Sequence, residues 1–156
     1  MKTITTIGAF ILMFNLNAQQ FISGTIGFST NGTEEAANIS IDHYSRNEIM
    51  MTSMGYQSYL LGNHNLLVGA YYENEGVYFG PVAGVGIYKN SLGFNFGIRT
   101  GYFLSISNHI SLSFSNQFIW SSEYDYEVDD PERINPRNQR SFNFFDFNVG
   151  IAYRIL

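Results

Sequence analysis

The segment Leu92–Ile106, LGFNFGIRTGYFLSI, limits what the chain can fold into more than any other. Every second residue gives Leu92, Phe94, Phe96, Ile98, Thr100, Tyr102, Leu104 and Ile106 on one side, and Gly93, Asn95, Gly97, Arg99, Gly101, Phe103 and Ser105 on the other. A period of two is the mark of a β-strand, whose successive side chains point to opposite faces of its sheet. One face is bulky and apolar, while the other is small, polar and charged. Strands in water-soluble sheets commonly run about five or six residues, whereas a tilted strand that crosses a bilayer needs about 9–11. The length of the alternation therefore points to a membrane strand, with its bulky face toward lipid and its small polar face toward the inside of a closed barrel.

Composition agrees with that reading. Charged residues make up 13% of the chain and aromatics 17%; a soluble domain is charged at about a quarter of its positions, so much of this exterior is expected to meet lipid. At 156 residues the chain has room for one domain. Cysteine is absent, which excludes disulfides, thiolate metal sites and a lipid anchor on a cysteine. With 8 Lys and Arg against 13 Asp and Glu, there is no basic face for a nucleic-acid partner. The first residues differ in kind: Lys2 gives a positive start, Ile7–Phe14 is an uninterrupted apolar run, and Asn15–Gln19 is a polar exit with Ala18 as the expected last residue before cleavage. This predicts a secretory signal peptide over residues 1–19, with Leu16 larger than the usual small residue before the cut, and a barrel domain over 20–156.

The alternation recurs along the rest of the chain. It predicts strands over Phe21–Ser29, Ala37–Tyr44, Ile49–Leu60, Leu66–Tyr72, Val77–Tyr88, Leu92–Ile106, Ile110–Ser121 and Phe142–Ile155. Ser45–Glu48, Gly62–Asn65 and Glu73–Gly76 read as turns, although residues 37–60 also fit one long bent strand. Pro81 lacks an N–H, so a bulge or a local break in pairing is expected beside it. Eight strands make the smallest common up-and-down barrel, and an even number puts both chain ends on one side. The fold expected is an eight-stranded antiparallel transmembrane β-barrel with periplasmic termini. Parity then sends the longest connection, Glu123–Arg140, to the cell exterior. Tyr102 and Tyr153 fall at periplasmic strand ends and Trp120 at an external end, where amphipathic rings settle at a membrane interface.

The leader ending in NAQ, the phrase YFLSISNHISLSF and the last strand ending GIAYRIL resemble the small outer-membrane β-barrel proteins common in Bacteroidota. The resemblance spans the barrel domain and rests on pattern rather than on one motif. It implies residence in the cell outer membrane, contact with outer-membrane lipid, handling by the barrel-assembly machinery during biogenesis, and no shared catalytic activity. That machinery reads a terminal aromatic residue; here Tyr153 keeps the alternation and Ile155 holds the terminal position.

An eight-stranded barrel has an interior just wide enough for side chains. Glycines on the inner face are read as room for neighbours such as Tyr71, Tyr78 and Phe103. Arg99, Asp146 and Arg154 point inward by parity, together with Asn95, Asn148 and Gln117. An enclosed charge needs a partner, and Asp146 is the candidate for Arg99. In the long connection, acidic Glu123–Glu132 precedes basic Arg133, Arg137 and Arg140. A projecting hairpin would face Glu127 with Arg140 and Asp130 with Arg137; a site for a divalent cation or for saccharide phosphates is the alternative. His43-Tyr44-Ser45 is similar to the His-x-Ser of outer-membrane lipid A deacylases, with no paired acid identifiable, and His64 and His109 read as turn residues. No residue set points to a cofactor, a metal or a catalytic group. The leading expectation is a non-enzymatic outer-membrane barrel that meets surface or envelope components through its external loops. The alternatives are a lipid-modifying esterase on the same scaffold, or a soluble periplasmic lipocalin-like binder with Phe94, Phe96 and Ile98 inward and Arg99 outward.

Overall fold

The computed structural model describes residues 18–30, 35–60, 62–88, 91–125 and 139–155. Within them the chain forms β1 (Gln19–Thr30), β2 (Glu35–Asn47), β3 (Met50–Tyr59), β4 (Asn63–Asn74), β5 (Val77–Tyr88), β6 (Ser91–Ser105), β7 (Ile110–Asp125) and β8 (Gln139–Arg154). Each strand pairs antiparallel with the next, and β8 returns to pair with β1, closing the barrel in simple sequence order. Closure leaves no row of unpaired backbone groups, the one arrangement in which strands survive in a medium without hydrogen-bonding partners.

The two faces of each strand fall on opposite sides of the wall. Phe94, Phe96 and Ile98 are 59%, 59% and 43% exposed on the outside, while Arg99 beside them is 3% exposed. Ile26, Ile41, Phe79, Phe147 and Ile151 likewise face outward. This is a soluble fold turned inside out, and it is the reverse of the lipocalin-like arrangement, which that finding removes. The interior is filled by Tyr44, Met51, Leu67, Tyr71, Tyr78, Val82, Ile119 and Phe144 together with buried polar side chains.

Several elements run further than the alternation suggests. Residues 37–60 form two strands, and the turn between them is only Glu48–Ile49, so Ser45, Arg46 and Asn47 belong to β2 rather than to a turn. His64 is likewise in β4, not in a turn: its Nδ1 lies 2.7 Å from the Tyr56 hydroxyl, and the two rings stack on the outer wall. Polar residues at strand ends look like turn residues in a sequence, but a closed barrel must keep pairing until every strand reaches the rim. Pro81 keeps full register with Ile98 on β6, and its expected effect falls on the other side. There the β4–β5 ladder is interrupted between Gly69↔Val82 and Tyr72↔Phe79, with the same register before and after and hence no bulge. The expected leader lies outside the described residues except for Ala18 and Gln19, and β1 begins at Gln19, one residue before the expected start of the barrel domain.

The barrel has two distinct ends. The terminus end carries the start of β1, the end of β8 and the connections at residues 48–49, 75–76 and 106–109. The distal end is where β1 leads to β2, β3 to β4, β5 to β6 and β7 to β8. At the terminus end Gly76 has a φ of 87°, a left-handed conformation that glycine adopts without strain, and its carbonyl receives the Phe103 N–H at 2.9 Å.

Candidate functional site

The candidate site is the lumen, because every strand sends its small or polar face there. At mid-height Arg99 reaches across the barrel from β6. Its Nη1 donates to Asp42 Oδ1 at 2.9 Å and to the Tyr44 hydroxyl at 3.4 Å, and its Nε donates to Gln117 Oε1 at 2.8 Å. The carboxylate that pairs with Arg99 is therefore Asp42, not Asp146. Asp146 stands beside Gln117 on the β7–β8 ladder. Its Oδ2 accepts hydrogen bonds from Gln57 Nε2 and the Tyr59 hydroxyl, each at 2.9 Å, and from Gln117 Nε2. Gln117 Nε2 also donates to Gln57 Oε1 at 2.7 Å.

The network continues in both directions. Asp42 Oδ2 accepts from Ser40 at 3.0 Å, and Ser40 meets Thr25 at 2.7 Å. Asn65 donates to Tyr59 at 3.3 Å, and Asn95 donates to Asn65 at 3.0 Å. One chain of contacts thus touches β1, β2, β3, β4, β6, β7 and β8. Gly55 makes room for it: a Cβ there would lie 1.9 Å from Asp42 Oδ1. Asn148 is buried on the same side, and its Oδ1 makes no hydrogen bond among the described residues.

Toward the terminus end the filling changes to rings. Tyr71 and Tyr78 meet edge to face at 5.2 Å, Tyr78 and Phe103 stack at 5.2 Å, and Tyr44 sets its ring against Phe103 at 5.3 Å. Gly69 faces the tip of Tyr71, where a Cβ would come within 2.0 Å of the hydroxyl, and Gly101 faces Tyr78 at 2.3 Å. These glycines are notches for specific rings. Arg154 lies half-buried at the mouth below, where it lines a cavity with Phe21, Arg46 and Phe103. An ion pair that the sequence hides also sits here: Arg46 Nε lies against one Glu73 oxygen, and the other Glu73 oxygen accepts the Gly76 N–H at 2.7 Å.

The outward aromatics keep their own neighbours. Trp120 stacks on Phe96 at 5.2 Å and meets Phe118 edge-on at 4.5 Å, while Tyr102 and Tyr153 are exposed near the terminus end. The β7–β8 ladder corrects the expected hairpin. It runs in constant register from Ile110↔Tyr153 to Glu123↔Arg140, so Arg140 faces Glu123 and not Glu127. The wall-embedded part of the ladder sets this phase, whereas charge matching in the connection does not. Glu127, Asp130 and Arg137 lie outside the described residues. Among the described residues no group of three His, Cys, Asp or Glu side chains comes together to hold a metal ion.

No family model and no curated protein matches the sequence. Among solved structures, the crystal structure of Neisserial surface protein A is similar at a TM-score of 0.60 and 9% identity, covering 88% of this chain and 97% of that one. A chain from a de novo design of transmembrane β-barrels is similar at a TM-score of 0.51 and 13% identity, covering 88% and 95%. At such identities the likeness is one of fold. The chain has the eight-stranded closed antiparallel fold of small outer-membrane-type barrels.

Proposed function

We propose that this chain is a non-enzymatic protein of the bacterial outer membrane whose side-chain-filled lumen serves as a rigid support and whose distal connections face the cell exterior, where they meet envelope or surface components. The observation that carries the reading is the inverted wall: large apolar side chains all around the outside, and charged and amide groups locked inside. Such a surface is stable in hydrocarbon and aggregates in water. The apolar leader supports export, and the likeness to Neisserial surface protein A supports the outer membrane as its destination. The distal end also carries the longest connection, and in such barrels the long loops are the external ones.

The filled lumen argues against conduction. Arg99, Gln117, Asp146 and Tyr71 occupy the space that a pore would need. For the esterase alternative, strand parity puts His43 and Ser45 on the outer side of β2, near the terminus end, with Ser45 buried at 7% exposure. With that end in the periplasm they would face the inner leaflet, away from the lipid A they would have to cleave. The test is fractionation with surface proteolysis. The protein should require detergent for release, should migrate faster on gels when unheated, and should be cut in intact cells only within residues 126–138 or another distal connection. Release in the soluble periplasmic fraction overturns the reading. Mass spectrometry of lipid A with and without the protein should show no change, and loss of an acyl chain would establish the enzyme instead.

A further inference from the structure

We propose that the bowl at the terminus end of the lumen is a binding site for a small carboxylate with an apolar or aromatic body. The bowl has a volume of about 530 Å³ and is lined by Phe21, Arg46, Met51, Phe103, His109 and Arg154 among others. That size is ordinary for a small-molecule site. Its floor is aromatic: Phe21 and Phe103 stack at 6.0 Å, nearly parallel. Tyr44 and Tyr78 close the lumen beneath Phe103, so the bowl is blind.

Arg46 supplies the polar wall. Glu73, 1% exposed, is fixed at one oxygen by the Gly76 N–H, and its other oxygen forms an ion pair with the Arg46 guanidinium at Nε, outside hydrogen-bond geometry. Arg46 itself remains one-third exposed, and its Nη1 and Nη2 make no hydrogen bond to any described residue. The buried carboxylate therefore keeps a planar pair of donors at the bowl wall by charge alone. That fork matches a carboxylate, and the ion pair that already confines it to the wall lowers the cost of ordering it on binding. Arg154 lies across β1 from Arg46, since Gln19 faces Arg46 while Phe21 faces Arg154. Glu75 opposes an anion only from the exposed rim, where solvent screens it.

The test uses the full barrel in detergent micelles, with benzoate, phenol and inorganic phosphate as probes followed by amide chemical shifts. Benzoate should saturate and shift the amides of Phe21, Arg46, Gly76 and Phe103, while phenol and phosphate should bind about tenfold or more weakly, since each lacks one half of the recognition. Arg46→Gln should weaken benzoate about tenfold with unheated gel mobility retained. Phenol or phosphate binding as well as benzoate, no saturable benzoate shift, or an Arg46→Gln barrel with unchanged affinity would each overturn the proposal. Should Arg46→Gln not fold, Arg46→Lys keeps the charge beside Glu73 and loses the fork. Benzoate affinity should then fall, and an unchanged value overturns the site.

Discussion

Around Arg99 the lumen is held by directed contacts between charges and amides, whereas nearer the chain ends Tyr44, Tyr71, Tyr78 and Phe103 fill the same width with rings. Both regions close the barrel, but they fail differently. A polar group sealed from water is costly when it loses its partner, because nothing replaces the lost hydrogen bond. A ring that loses a contact loses area and dispersion, and its neighbours relax partway. The mid-height region thus fixes which strands face which across the lumen, and the ring region mainly excludes space. Glycine serves both, beside Asp42 in one and beside Tyr71 and Tyr78 in the other.

The largest expected effect breaks the polar region. Arg99→Met strands Asp42 in a dry interior, and unfolding in lipid vesicles should show a loss of about 3–5 kcal/mol. Adding Asp42→Leu to the same chain should recover most of that loss, since the stranded charge is gone. If the single variant were as stable as the parent, the mid-height network would be incidental and the contrast between the two regions would collapse.

One residue away, the same side chain meets the opposite requirement. Ile98 faces outward at the level of Arg99. Ile98→Arg should destabilise the vesicle-embedded barrel by about 2–4 kcal/mol, as a cation does near the bilayer midplane. The measurement is again a denaturant titration in vesicles. A cost near zero would mean that water, not hydrocarbon, surrounds the wall.

In the ring region the expected losses are smaller and can be repaired. Gly69→Ala drives a methyl into the Tyr71 ring and should cost about 1–3 kcal/mol. Because all three atoms nearest that methyl belong to the Tyr71 side chain, Tyr71→Leu in the same chain should relieve the clash. Backbone movement instead of side-chain movement would leave the double variant no better than the single one.

How much of this could be read from the sequence differs between the same two regions. A period of two was enough to put Arg99, Gln117 and Asp146 on one face and Phe94 and Phe96 on the other, because a strand has no other way to place them. It was not enough to pair Arg99 with Asp42, although Asp42 shows the same alternation. Contacts across a lumen depend on how far each strand is staggered around the barrel, and stagger leaves no local trace. Arg46 and Glu73 were hidden for another reason. Charged residues beside Asn and Gly read as turns, and only the rim of a closed barrel makes them strand residues that face inward. The offset between Glu127 and the Glu123 that faces Arg140 shows the same limit: opposite charges in a connection suggest a register, while the ladder below decides it.

The smallest expected effect separates the two regions where they touch. Tyr71 belongs to the ring cluster, yet its hydroxyl meets Ser53 at 2.9 Å in the manner of the polar network. Tyr71→Phe keeps the ring and removes the hydroxyl, leaving the buried Ser53 oxygen without it. The cost should be about 1 kcal/mol, close to that of an ordinary buried hydrogen bond. Ser53→Ala should cost about the same, and the double variant little more than either alone, because one contact cannot be lost twice. If the two losses added in full, Tyr71 would act through ring packing and Ser53 through some other neighbour. The boundary between directed and space-filling parts of the lumen would then lie closer to Arg99 than Tyr71.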